Sequence, residues 1–158
     1  MIWVVELIFI GGELLKFGID VNQEYLCKRI LEKIKEKGHT MVDLTVEKWP
    51  NKGQEVFKKV LLANITNIDF YIGIEFIEYN EEYKIFYSDN ECSKICSFKI
   101  KESLKVKSKN IICEDGNHLY LIKNMNSPGI YIVIPLKENK KENIEIIDNL
   151  IEKLIEVK

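Results

Sequence analysis

Residues Ala63–Glu78 read ANITNIDFYIGIEFIE, and within them Asp69–Phe76 is a nearly unbroken run of aromatic, β-branched and small residues. A strand covered on both faces carries this composition, whereas a half-exposed strand alternates apolar with polar. The stretch therefore predicts the central strand of an open sheet with helices on both sides. Glu75 stands near its carboxyl end among apolar neighbours, and in open α/β sheets ligands gather beyond the carboxyl ends of central strands.

The flanking segments support the same architecture. Ile2–Ile10 is an apolar, β-branched run closed by Gly11-Gly12 and reads as a first buried strand. From Asp20 to Lys37 the apolar residues Val21, Tyr25, Leu26, Ile30, Leu31 and Ile34 recur at helical spacing, and Gly38 supplies a C-cap. Thr40–Val46 follows as a strand. Trp49, Pro50, Asn51 and Gly53 mark a loop, and Gln54–Asn64 is a helix with Val56, Val60, Leu61 and Ala63 on one face. The β-α-β-α-β order with short links predicts a mostly parallel sheet wound between helices.

Beyond the central strand, Tyr83–Tyr87 reads as a strand and Cys92–Val106 as a helix marked by Ile95, Phe98, Ile100 and Leu104. Asn110–Gly116 reads as a connection with a turn at Asp115-Gly116. Leu119–Lys123 and Gly129–Leu136 are two further strands, and Lys141–Val157 is an amphipathic helix presenting Ile144, Ile147, Leu150, Ile151 and Leu154. The expected fold is a single α/β domain over residues 1–158, three layers (α/β/α) around a twisted, mixed, mostly parallel six-stranded sheet.

Composition narrows the function classes. Lys and Arg total 23 against 25 Asp and Glu, so no basic surface favours nucleic acid. No apolar stretch is long enough to span a membrane, and the opening MIWVVELIFI lacks the basic flank and cleavage site of a signal peptide, so a cytoplasmic chain is expected. Cysteines at 27, 92, 96 and 113 are too sparse for a disulfide framework.

Among candidate sites, His39 and His118 are the only histidines and neither has a companion at metal-ligand spacing, so both read as surface or turn residues. Cys92 and Cys96 share a helical face, and partly buried free thiols are the simpler reading. Gly11-Gly12 lacks the other glycines of a phosphate loop and is followed by Glu13, so no nucleotide is expected. Glu13, Asp20, Glu24, Glu75 and Glu78 could converge for acid-base work or a hard cation, or stand as solvated rim residues.

With these elements placed, three segments resemble the zinc-dependent N-acetylmuramoyl-L-alanine amidases, most closely the catalytic domains of clostridial phage endolysins. They are KIKEKGHTMVDLT (Lys33–Thr45), VLLANITNIDFYIGIEF (Val60–Phe76) and DGNHLYLIKNMNSPGIYIVIPLKEN (Asp115–Asn139). The resemblance runs from about Asp20 onward and implies that family's fold. It also implies cell-wall peptidoglycan or a protein partner as ligand, and by analogy a part in lysis alongside a holin. The family binds zinc through two histidines and a glutamate and activates water with a second glutamate. The resemblance puts those ligands at Gly12, Asn22 and Glu75 and the catalytic glutamate at Val133, so none of the four is retained. A cation with an open coordination position and a nearby base are what metal-assisted amide hydrolysis requires. The expectation is therefore an amidase fold without zinc or hydrolysis, whose residual groove comprises Glu13, Asn22, Glu24, Glu75 and Glu78. The alternatives are an active peptidoglycan amidase with a metal site rebuilt from Glu13, Glu24, Glu75 and Glu78, and a gene remnant that folds without function.

Overall fold

A computed structural model describes residues 14–155 apart from 47, 49 and 109. The expected strand at Ile2–Ile10, the Gly11-Gly12 turn and Glu13 lie outside the described residues.

Six strands form one sheet: β1 (Lys16–Val21), β2 (Thr40–Asp43), β3 (Phe70–Ile77), β4 (Tyr83–Tyr87), β5 (Ile111–Asp115) and β6 (Gly129–Pro135). Their spatial order is β2-β1-β3-β6-β4-β5. Every neighbouring pair is parallel except β4 and β6. β3 and β6 are thus the two central strands; Asp69–Phe76 predicts the first as central and Gly129–Leu136 predicts the second as a strand. Five helices are described: α1 (Glu24–Glu36), α2 (Lys52–Ile65), α3 (Glu91–Leu104), α4 (Tyr120–Asn124) and α5 (Lys140–Leu154).

The helices divide between two apolar layers. Leu26, Ile30 and Ile34 of α1, Cys96 and Ile100 of α3, and Ile147, Leu150 and Ile151 of α5 cover one face of the sheet. Val60 and Ala63 of α2 and Leu121 and Ile122 of α4 cover the other. Because strands alternate side chains between faces, Ile72 and Ile74 point into the first layer and Tyr71 into the second.

Several sequence expectations shift. The strand entering the sheet beside β2 and β3 is Lys16–Val21, so Asp20 and Val21 end a strand rather than open a helix. The alternation in KFGIDV is short, and the longer apolar run before it draws the eye. The connection at Asn110–Gly116 contains β5, an edge strand whose Ile111 alone is fully covered. Only half of an edge strand needs burial, which leaves a weak apolar signal. Conversely Leu119–Lys123 is not a strand. Leu121 and Ile122 are buried side by side, which a helical turn permits and an alternating strand would not. On α3 the buried face is Cys92, Ser93, Cys96, Ser97, Ile100 and Leu104, so Phe98 lies outward at 44% exposure, edge-on to Tyr87. On α2, Leu61 likewise lies outward.

Local chemistry fixes the element ends. α1 stops in a Schellman motif: Gly38 takes φ 84, its N–H donates to the Lys35 carbonyl, and the His39 N–H reaches back to the Ile34 carbonyl. Asn51, Asn90 and Asn139 cap α2, α3 and α5 by accepting from backbone N–H groups of the first turn. Arg29 of α1 forks onto Asp148 of α5 through two hydrogen bonds of 2.9 and 3.0 Å, joining two helices far apart in sequence.

Two outcomes follow. A Cβ in the left-handed conformation is disfavoured, so Gly38→Ala should cost about 1 kcal/mol in urea unfolding without changing the fold by circular dichroism. Arg29 holds the Asp148 carboxyl below its usual range. A depressed carboxylate contributes stability that is present above the unfolded value of about 3.9 and is lost as pH falls through the lower folded value. Thermal melts of Asp148→Asn should therefore lie below the parent at pH 7, with the gap closing below about pH 4 and in high salt.

Candidate functional site

β1, β3 and β6 run parallel, so their carboxyl ends meet at one pole of the sheet. The register sets Asp20 beside Gly73 and Gly73 beside Tyr131 in one row. The next row toward the tip sets Glu75 beside Val133. Side chains paired across parallel strands point to the same face, here the face covered by α2 and α4.

A polar cluster occupies this face. Asp20 is only 6% exposed. It accepts from Lys59 Nζ at 2.8 Å and from the Tyr71 hydroxyl at 2.9 Å. Lys59 projects from the middle of α2, so the ion pair ties the helix to the strand beneath it. The Tyr131 hydroxyl donates to Glu75 Oε2. Both tyrosines lie across Gly73, where a Cβ would meet the Tyr71 hydroxyl and come 2.7 Å from the Tyr131 ring. Glycine at 73 leaves the space in which the two rings cross. Burial, reinforced by Asp20, drives the Tyr71 pKa far up, and burial followed by the Glu75 hydrogen bond raises that of Tyr131. Both phenols are therefore neutral donors throughout the physiological range.

At the tip of β1, Asn22 serves the backbone. Its Nδ2 donates to the Phe76 carbonyl and its Oδ1 accepts from the Phe76 N–H, each at 2.8 Å, while its own N–H reaches the Ile74 carbonyl. The amide mimics another residue of strand, extending the β1–β3 ladder past its end. Both of its polar atoms are committed within the chain.

Of the expected groove, Asn22 and Glu75 flank the same strand end, and Val133 stands directly beside Glu75. Glu24 instead pairs with Lys28 one turn along α1 at 3.3 Å. Glu78 lies exposed past the end of β3. Among the described residues, no three His, Cys, Asp or Glu side chains come together to hold a metal ion. The donors Glu24, Glu75 and Glu78 of a rebuilt site do not converge. Of the ligand positions the resemblance implies, Gly12 lies outside the described residues, and Asn22, committed to Phe76, and Glu75 are by themselves too few donors for zinc, while Val133 offers no base.

Both histidines lie at the opposite pole. His39 precedes β2 and is buried rather than on the surface; its Nδ1 accepts the Leu15 N–H at 3.2 Å and its ring meets Phe17 edge-on. Burial lowers its pKa. His118 follows β5, exposed, with its ring edge-on to Phe86. Cys92 and Cys96 are buried free thiols in α3. Burial, then Asp43, raises the Cys27 thiol to about 11.

Lys59, Tyr71 and Tyr131 are the site residues that sequence reading passes over. Their signal is faint: a lysine repeated at 58–59 on a helix, and tyrosines two residues before Gly73 and Val133 within otherwise aliphatic strands.

No family model and no curated protein matches the sequence. Solved structures do match. The catalytic domain of CD27L endolysin, which targets Clostridia difficile, superposes with a TM-score of 0.71 at 16% identity, over 91% of this chain and 99% of that one. The CwlD amidase of Clostridioides difficile, solved with the GerS lipoprotein, gives 0.65 at 17% identity over 89% and 94% of the two chains. The N-acetylmuramoyl-L-alanine amidase AmiC2 of Nostoc punctiforme gives 0.67 at 12% identity over 89% and 94%. At such identities the likeness speaks for architecture. This chain has the fold of the N-acetylmuramoyl-L-alanine amidase catalytic domains, as the segments around Gly38, Asp69 and Gly129 led us to expect.

Proposed function

We propose that this chain binds peptidoglycan without hydrolysing it, using the tip of an amidase scaffold in which hydrogen bonds and a lysine ammonium stand where a metal would have to go. The observation that carries the reading is the state of the strand tips. Asn22 is bound on both polar atoms by Phe76, Glu75 is held by Tyr131, and Val133 offers neither ligand nor base. One row deeper, the Lys59 ammonium already neutralises Asp20. A divalent cation entering this cluster would meet a positive charge and too few donors.

The amidases and the endolysin among the structural neighbours support the cell wall as the ligand class. On this reading the endolysin-like role left to a binder that does not cleave is assistance in lysis, with a holin as its route to the wall. A protein partner is the second reading, and two observations favour it. The structural neighbour CwlD was solved with a lipoprotein. Here Phe57, Leu61 and Ile65 form an exposed apolar ridge at four-residue spacing along α2, beside a cavity of about 510 Å³ lined by Val56, Phe57 and Tyr120.

Sedimentation with purified sacculi, in buffer supplied with zinc and free of chelator, tests the proposal. The expected outcome is retention on the wall, no release of stem peptides, and less than one-tenth equivalent of tightly bound zinc. Stoichiometric zinc together with peptide release would overturn it.

The ion pair has its own test. Removing one partner of a buried pair leaves the other charge uncompensated, at about 3–5 kcal/mol. Lys59→Met should therefore lose about 3 kcal/mol in chemical denaturation. Asp20→Asn/Lys59→Met should lose less than Lys59→Met alone, because no buried charge is left behind.

A further inference from the structure

We propose that the cavity just past the tips of β3 and β6 is a saccharide subsite with Tyr79 as its platform. This rests on the wall-binding reading and names the part of the wall that is gripped, its glycan strand.

Tyr79 stands two residues beyond β3. Its side chain is wholly exposed at 102%, and its φ is 56. The left-handed conformation is unfavourable for a bulky L-residue, because Cβ crowds the following carbonyl. Asn67 also has positive φ, at 52, but a short amide side chain suits that region and a phenol does not. Tyr79 thus combines a strained backbone with a ring that buries nothing in the described fold. Such combinations gather where a residue acts on something outside the fold.

The surroundings are built rather than loose. Glu78, Tyr79, Leu136, Lys137 and Glu138 line a cavity of about 260 Å³. The Leu136 N–H donates to the Ile77 carbonyl at 2.9 Å, joining the two segments that form the walls. Buried Asn143 clamps Lys137 on both sides, accepting from its N–H and donating to its carbonyl, each at 2.9 Å. The cavity therefore exists before any ligand arrives.

The lining selects the ligand class. Two carboxylates and one ammonium side by side leave little net field, so neither an anion nor a metal ion is strongly favoured. They do supply acceptors and donors around an aromatic face, which suits a neutral polyhydroxylated ring whose C–H face lies on the phenol. The volume falls below the roughly 300 Å³ at the lower end of ligand pockets, so it takes one sugar ring, with the rest of a chain running out into solvent.

The test is titration with a soluble β-linked N-acetylglucosamine tetramer, followed by protein-observed NMR, with free lysine as a parallel probe. The sugar is expected to shift resonances of residues 78–79 and 136–138, and lysine to leave them unmoved. Tyr79→Gly should weaken sugar binding at least tenfold while melting at the same or a higher temperature, because glycine accepts the backbone conformation. Tyr79→Phe should retain binding within about threefold. Equal sugar affinity in Tyr79→Gly, no shift with sugar, or a response to lysine alone would each overturn the subsite. Sacculus retention separates the two proposals. Retention without sugar binding removes the subsite and leaves wall binding standing, whereas sugar binding at Tyr79 without retention does the reverse.

Discussion

The parallel register of β1, β3 and β6 decides which side chains can meet. Parallel pairing aligns all three carboxyl ends at one pole and brings Asp20, Gly73 and Tyr131 into a row, with Glu75 and Val133 one row further out. A one-residue slip of β1 would turn Asp20 into the apolar layer under α1 and Ile19 into the polar cluster. The register is held because Phe17, Ile19 and Val21 belong to the first layer, where Ile72, Ile74, Ile130 and Ile132 already pack. The apolar alternation of the strands thus positions the polar residues between them.

Burying Asp20 in this row is costly, and the surrounding residues show how the cost is met. A carboxylate removed from water needs opposite charge and hydrogen bonds together, and Asp20 receives one of each from Lys59 and Tyr71. Replacing such a pair with apolar side chains is often neutral for stability, so stability alone does not explain it. The pair does fix the seating of α2, since Lys59 reaches β1 only when the helix lies at one height and rotation. Tyr71 and Tyr131 then cross over Gly73 and pass the constraint to Glu75 at the tip.

The parts of the fold legible in sequence were those where burial is complete. Phe70–Phe76 and Gly129–Pro135 are enclosed between two helical layers, and such enclosure leaves a nearly continuous apolar run. The edges were less legible. β5 needs one covered face, so Ile111-Ile112-Cys113 passed for a connection, while the adjacent Leu121 and Ile122 of a single helical turn passed for a strand. The face of α3 was misplaced because serines and cysteines, small enough to lie against the sheet, fill positions where larger apolar residues are expected. At the site, Glu75 could be placed at a strand end from local order, whereas Asn22 was expected in the first helix because the short strand before it leaves little apolar signal. Their partners could not be placed, because Phe76, Tyr131 and Lys59 reach them through sheet register and helix seating, neither of which leaves a periodic mark.

The tips of the strands can change chemistry while the fold stays, because almost none of the apolar layers depends on them. Phe17, Ile72, Ile132 and the helix faces over them lie deeper along the strands than Asn22, Glu75 or Val133. A polar side chain at the tip therefore exchanges contacts with solvent and the last backbone groups of the ladder, not with the two apolar layers. Asn22 shows the direction such an exchange takes: an amide there completes two backbone hydrogen bonds that the end of β3 otherwise offers to water. Val133 adds apolar cover beside Glu75, and Tyr131 supplies the donor that Glu75 accepts. Each of these residues closes the tip with interactions inside the chain. The carboxyl pole of β1, β3 and β6 is thus held by the chain's own residues, and the exposed surface lies further out, at the turn that carries Tyr79.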